Sequence, residues 1–297
     1  MPNWHEIMQE LNRSGSTFDV IRRRYLKKLS EYTGRNVIAY YSGWLQKPQV
    51  DAGYIAITDA DKNGFMNAIH GMDRAKGLDL ILHTPGGDTA ATESLVDYLH
   101  SMFGNNIRAI VPQLAMSAGT MIACACKEII MGEQSNLGPI DPQLNGMPAH
   151  AVLEEFNKAC DVAKNKPWQI PIWQPIISRY NPTFIVECNK AIVWSNEMVS
   201  GWLRNNMFQG MTMGEQERTI STVLQELGDH SVSKSHARHL SKKKCADMGL
   251  KIIDMESDQT LQDNILSVHH ACIHTLAGTP AVKLIENHDG IAFIQNN

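Results

Sequence analysis

LDLILHTPGGDTAATESLVDYLHSMF, residues 78–103, joins a mostly apolar run to a helical pattern through Pro-Gly-Gly. Residues 78–84 read as a strand buried on both faces. Leu95, Leu99, Met102 and Phe103 share one side of a following helix, so the unit is a strand-turn-helix of the kind that builds parallel sheets. Asp88 and Thr89 are candidate N-caps, and Gly86 and Gly87 allow backbone N–H groups to converge on a small anion. Toward the N-terminus the rhythm continues with a helix after TDAD (58–61), a strand NVIAYYSGW (36–44) and a helix FDVIRRRYLKKLSEYTG (18–34). Toward the C-terminus come a strand IRAIVPQ (107–113), a helix over 117–127 and a short strand EIIMG (128–132). The expected fold class is therefore α/β, built from repeated β-α units.

From Pro148 to about Leu227 the pattern turns helical, with Ile220, Val223, Leu224 and Leu227 at i, i+3, i+4, i+7. Residues 148–228 read as a helical insertion, a lid or an oligomer surface, and residues 1–34 as a helical N-terminal extension. No linker or repeat divides the chain, so one domain over 1–297 is expected. The tail TPAVKLIENHDGIAFIQ (279–295) reads as a helix, a turn and a strand.

The 297 residues carry a net charge of −4 and 43% apolar residues, which gives no global drive toward nucleic acid or anionic membrane. No stretch approaches eighteen apolar residues, and the first residues lack the basic-then-apolar design of a secretory signal, so a cytoplasmic protein without an integral membrane segment is expected. Six cysteines without a C-x-x-C pair read as reduced core thiols. The basic runs RRRYLKK (22–28) and KKK (242–244) read as solvated faces, and the tryptophans at 168, 173, 194 and 202 as packing within the insertion or between subunits. His270 and His274 stand at i, i+4 without a third ligand or an H-E-x-x-H glutamate, so no metal is assigned.

LAMSAGTMIACAC (114–126) repeats the strand-turn-helix logic one unit later, with Ser117 at the elbow among small neighbours. Alone, Ser117 reads as a helix N-cap and Gly86-Gly87 as a turn; together the two motifs point to a site. Adjacent parallel strands set the Ser117 turn beside Gly86-Gly87 at the carboxyl edge of the sheet, where open α/β sheets bind ligands.

The ordered set TPGG, MSAG and SNLGPIDPQ (135–143) resembles the superfamily of the Clp protease proteolytic subunit and signal peptide peptidase A, and most closely its serine dehydrogenase proteinase branch. The likeness runs from about Thr33 to Ile253. It implies a Clp/crotonase-like fold and a serine peptidase working through an acyl-enzyme. Ser117 would be the nucleophile, the backbone amides of Gly87 and Ala118 would form the oxyanion hole, and Gly86 would shape the same turn. It further implies a peptide or protein substrate and a homo-oligomer; no nucleic acid partner and no cofactor are expected. Clp-type proteases carry a histidine in the segment where this chain has GPIDPQ, and an aspartate where it has Ala237 beside His236. The serine dehydrogenase proteinase branch uses the order Ser, Asp, His, which Ser117, Asp141 and His236 satisfy. His239, His230, His150 and Lys158 are rival bases. A crotonase-fold acyl-CoA hydratase or thioesterase, and an inactive protease-like scaffold, are the alternative functions.

Overall fold

The computed structural model describes residues 7, 18–229, 232 and 234–297; most of the stretch before Phe18, and His230, lie outside the described residues. A helix α1 (Phe18–Thr33) leads into strand β1 (Asn36–Ser42), a single turn at Ala52–Ile55 and helix α2 (Asp59–Ile69). There follow β2 (Leu78–His83), α3 (Thr89–Phe103), β3 (Ile107–Val111), β4 (Leu114–Ala115), α4 (Ala118–Cys124), β5 (Glu128–Met131) and β6 (Asn136–Leu137). A small hairpin, β7 (Gln143–Leu144) and β8 (Met147–Pro148), opens the helical stretch α5 (Ala149–Asn165), α6 (Ile170–Ile177), α7 (Phe184–Asn205) and α8 (Met213–Gly228). The chain closes with β9 (Leu240–Ser241), α9 (Lys242–Asp247), β10 (Ile252–Asp254), α10 (Gln259–Gly278), β11 (Ala281–Asn287) and β12 (Ala292–Asn296).

Seven strands form the main sheet in the order β10-β5-β3-β2-β1-β11-β12. The five from β10 to β1 are parallel, whereas β11 runs antiparallel to β1 and to β12. Alternation along the strands divides the core in two. Ile38, Tyr40, Leu80 and Leu82 face α2, α3, α4 and the helices α7 and α8; Val37, Ala39, Tyr41 and Ile81 face α1 and α10. With both faces covered, every residue of β1, β2 and β11 is buried. The α/β class and mostly parallel sheet expected from sequence are present. Helix α3 starts at the Asp88 N-cap, whose carboxylate accepts the Ala91 N–H at 2.7 Å.

Three expectations are corrected. Residues 281–287 are a strand and not a helix; the last long helix is α10, just before them. The basic run 22–28 is not wholly solvated. Arg22 is fully buried, donating to Glu286 of β11, to Thr275 Oγ1 at 3.0 Å and to Asp19 at 2.8 Å. A buried guanidinium is tolerated there because its donors meet a carboxylate that is itself buried. Trp168 is 72% exposed on this chain, outside its core. Of the six cysteines read as core thiols, five are buried, but Cys160 on α5 is exposed. Among the described residues no helix is long and apolar enough to cross a membrane.

On the α10 side of β2, His83 is fully buried among Trp44, Tyr41 and His269, with ring centroids at 4.4, 5.3 and 5.4 Å. Neither ring nitrogen has a partner among the described residues, and burial lowers the pKa from 6.5 to about 3. The imidazole is thus neutral in the folded state at pH values where the unfolded chain takes up a proton. Its stability penalty is absent above pH 6.5 and grows as the pH falls toward 3, at about 1.4 kcal/mol per pH unit. His83→Phe, which keeps a ring against Trp44, is expected to flatten the loss of stability between pH 6.5 and 4.5 by about that slope, read from denaturant midpoints. An unchanged slope would refute the assignment.

Candidate active site

The site is carried by a second, three-stranded sheet in the order β4-β6-β9. Strands β4 and β6 run parallel, pairing Ala115 with Leu137, and β9 runs antiparallel, pairing Leu240 with Leu137. Ser117 follows β4 by two residues, Asp141 follows β6 by four, and His236 precedes β9 by four. Because β9 is reversed, all three emerge at the same edge.

Ser117 is the N-cap of α4 but makes no side-chain cap bond, and its backbone sits at φ 53°, ψ −119°. A positive φ at a non-glycine residue costs on the order of 1–3 kcal/mol and is held only where the surroundings over-determine it. Here the surroundings are tight. A Cβ on Gly86, itself at φ +99°, would stand 2.6 Å from Ser117 Cβ, and one on Gly138 would stand 2.6 Å from Met116 Cε. Met116 N–H donates to Thr84 O at 3.0 Å, which lashes the elbow to the end of β2. Thr120 Oγ1 accepts the Gly138 N–H at 2.9 Å and lies 2.8 Å from Ala115 O, joining the elbow to the loop that carries Asp141.

The Pro-Gly-Gly turn is pinned from the other side. Ile57 N–H donates to Gly86 O at 2.8 Å and Asp88 N–H donates to Ile57 O at 2.9 Å, forming a parallel bridge between Ile57 and Gly87. In such a bridge the residue flanked by the two bonds directs its own N–H away from the partner strand. The Gly87 amide therefore faces away from Ile57. On that side of the same chain, Thr84 is bridged to Ala115, two residues before Ser117. A Cβ on Gly87 would lie 2.2 Å from Ile57 N, so only glycine admits this approach. Ala118, the first residue of α4, has no acceptor for its N–H within the helix. Two backbone donors thus flank the elbow.

Asp141 is buried, and its Oδ1 lies 2.7 Å from His236 Nδ1. Its Oδ2 accepts the Gln143 amide at 2.9 Å. The loop before it is fixed by Ile140 N–H donating to Leu227 O of α8 at 2.8 Å. His236 keeps 28% of its side chain exposed, so one ring nitrogen is anchored on a buried carboxylate while the ring still reaches solvent. No hydrogen bond joins Ser117 Oγ to His236 among the described residues; catalytic hydrogen bonds are often long in ligand-free sites and tighten on binding.

The rival bases are placed differently. His239 is exposed, and His150 is the second residue of α5. Lys158 is exposed, with its ammonium 5.7 Å from the Trp173 ring centroid. His230 lies outside the described residues. His270 and His274 lie on α10, and among the described residues no group of three or more His, Cys, Asp or Glu is placed to hold a metal ion. Three supports escaped the sequence reading: Ile57, Thr120 and Gln143. None had a signal, since each acts through fold-level proximity.

Comparison with known proteins gives two kinds of likeness. The chain is 42% identical over 114 residues to an uncharacterized protein of Methanocaldococcus jannaschii, covering 38% of this chain and 40% of that one. It is 34% identical over 138 residues to a second uncharacterized protein of the same organism, covering 46% of each. The chain thus spans less than half the length of the curated relatives it matches. A family described as ClpP-like SDH-type serine proteinase matches residues 12–168, just over half of the chain, a span that holds Gly86, Gly87, Ser117 and Asp141 and ends before His236. The chain belongs to the ClpP-like SDH-type serine proteinase family.

Proposed function

We propose that the protein is a serine peptidase that cleaves peptide bonds through an acyl-enzyme formed on Ser117. A serine hydroxyl is a poor nucleophile at neutral pH and needs a base held by a third group. The observation that carries the reading is the 2.7 Å contact between His236 Nδ1 and buried Asp141, at the edge where the Ser117 elbow also emerges. With the Nδ1 proton donated to Asp141, Nε2 is left unprotonated. His236 takes the Ser117 proton as the hydroxyl attacks the carbonyl and returns it to the leaving amine. Asp141 orients the ring and stabilises the imidazolium. The amides of Gly87 and Ala118 hold the oxyanion, and Gly86 makes room for it. In this reading the helices of residues 148–228 are an insertion beside the cleft, within one domain. The substrate is a peptide or protein, the chain self-associates, and it works in the cytoplasm without a cofactor.

The test is covalent labelling of the folded wild-type protein with a fluorophosphonate, followed by peptide mapping. A single adduct on Ser117 is expected. An adduct on another serine would refute the nucleophile assignment, and no adduct would favour a protease-like scaffold or a crotonase-type acyl-CoA enzyme.

A further inference from the structure

Behind the Pro-Gly-Gly turn lies a buried charged group that the proposed chemistry does not use. Lys283 of β11 is fully buried, and its Nζ donates to Asp61 Oδ1 and to Ala56 O, both at 2.7 Å. Asp61 is also fully buried; its Oδ2 accepts the Tyr40 hydroxyl at 2.8 Å and the Thr58 N–H at 3.0 Å. Ser42 Oγ donates to Ile55 O. Residues 55–58 are therefore gripped on both sides of Ile57, at Ile55 and Ala56 before it and at Thr58 after it. All these grips come from β1, β11 and the first turn of α2. Ile57 in turn holds Gly86 O and Asp88 N–H, the two groups that aim the Gly87 amide.

A buried lysine-carboxylate pair is a weak source of stability, because desolvating both charges offsets most of their attraction. Its stronger effect here is directional. Burial pulls the Lys283 ammonium toward its neutral form and the Asp61 carboxylate holds it charged, so the two are fixed to each other and to the Ala56 carbonyl. We infer that Lys283 and Asp61, with Tyr40, are positioning residues that hold Ile57 against the Gly86–Asp88 strand and so aim the Gly87 N–H at the oxyanion. This rests on the peptidase reading for what the amide does, though not for the clamp itself. All three act through Ile57, Lys283 and Asp61 by two successive hydrogen bonds and Tyr40, through Asp61, by three.

The test uses the full chain. The double variant Lys283→Met/Asp61→Asn removes both charges together, so neither is left unpaired, and Tyr40→Phe loosens Asp61 without removing any charge. Fluorophosphonate inactivation is split into its maximal rate and its half-saturating concentration, and amide exchange is followed in peptides covering residues 55–58 and 86–89. Expected are a maximal rate at least tenfold lower in the double variant with half-saturation within threefold of wild type, a smaller drop in Tyr40→Phe, and faster exchange in both peptides. A purely structural role would lower the amount of folded protein and leave the rate per folded molecule unchanged. A maximal rate within twofold of wild type in either folded variant, or unchanged exchange at both peptides, overturns the inference. If the wild-type protein is not labelled at all, the peptidase reading fails, and the exchange arm alone decides whether the pair holds the strand. Tyr40→Phe keeps both arms open if the double variant does not fold.

Discussion

Ser117→Ala is expected to lower hydrolysis of an activated ester by about four to six orders of magnitude while leaving the fold intact. The loss is large because in the proposed mechanism the hydroxyl oxygen forms the acyl bond, and the neighbouring small residues offer no substitute. The fold is preserved because the Ser117 hydroxyl makes no cap bond in the structure, so its removal breaks no hydrogen bond that α4 depends on. The strained φ of 53° remains in the variant, with the same Gly86 and Gly138 packing around it. Residual rate would come from the two backbone donors, which can still polarise a bound carbonyl. Turnover of the variant within tenfold of wild type would transfer the chemistry to another group.

His236→Ala is expected to cost about three to five orders of magnitude in kcat with a small change in KM, whereas His150→Ala stays within a few-fold of wild type. The contrast follows from placement. A base needs a partner that fixes its tautomer, and His236 has one in Asp141 at 2.7 Å, whereas His150 sits on the first turn of α5. Deleting the imbalance between the two histidines, by finding equal losses in both variants, would reject the pairing with Asp141 as the catalytic one.

The first half of the fold was legible because β2, β3 and β5 are parallel strands buried on both faces and α3 has an apolar side at helical spacing. Pro-Gly-Gly and Ser-Ala-Gly marked the two turns that meet, and Gly86 against Ser117 shows how closely. What the pattern hid was charge inside the sheet. AVKLIEN was read as a helix and not a strand, with Lys283 and Glu286 interrupting its apolar residues, yet both are buried against Asp61 and Arg22, partners more than two hundred residues away. Arg22 was hidden for the same reason. The histidine assignment came from resemblance and not from local signal, because the strands that bring His236 to Asp141 are two residues long and carry no readable periodicity.

The reversed strand β9 also sets a timetable for synthesis. In the proposed triad the serine and the aspartate leave the ribosome early, but the imbalance of the chain order puts the imidazole 95 residues after the carboxylate, beyond the whole helical stretch. Leu240 must also pair with Leu137 before the ring is carried to that edge. On that proposal a nascent chain holds the nucleophile without its base, and the triad would be complete only once the fold is nearly complete.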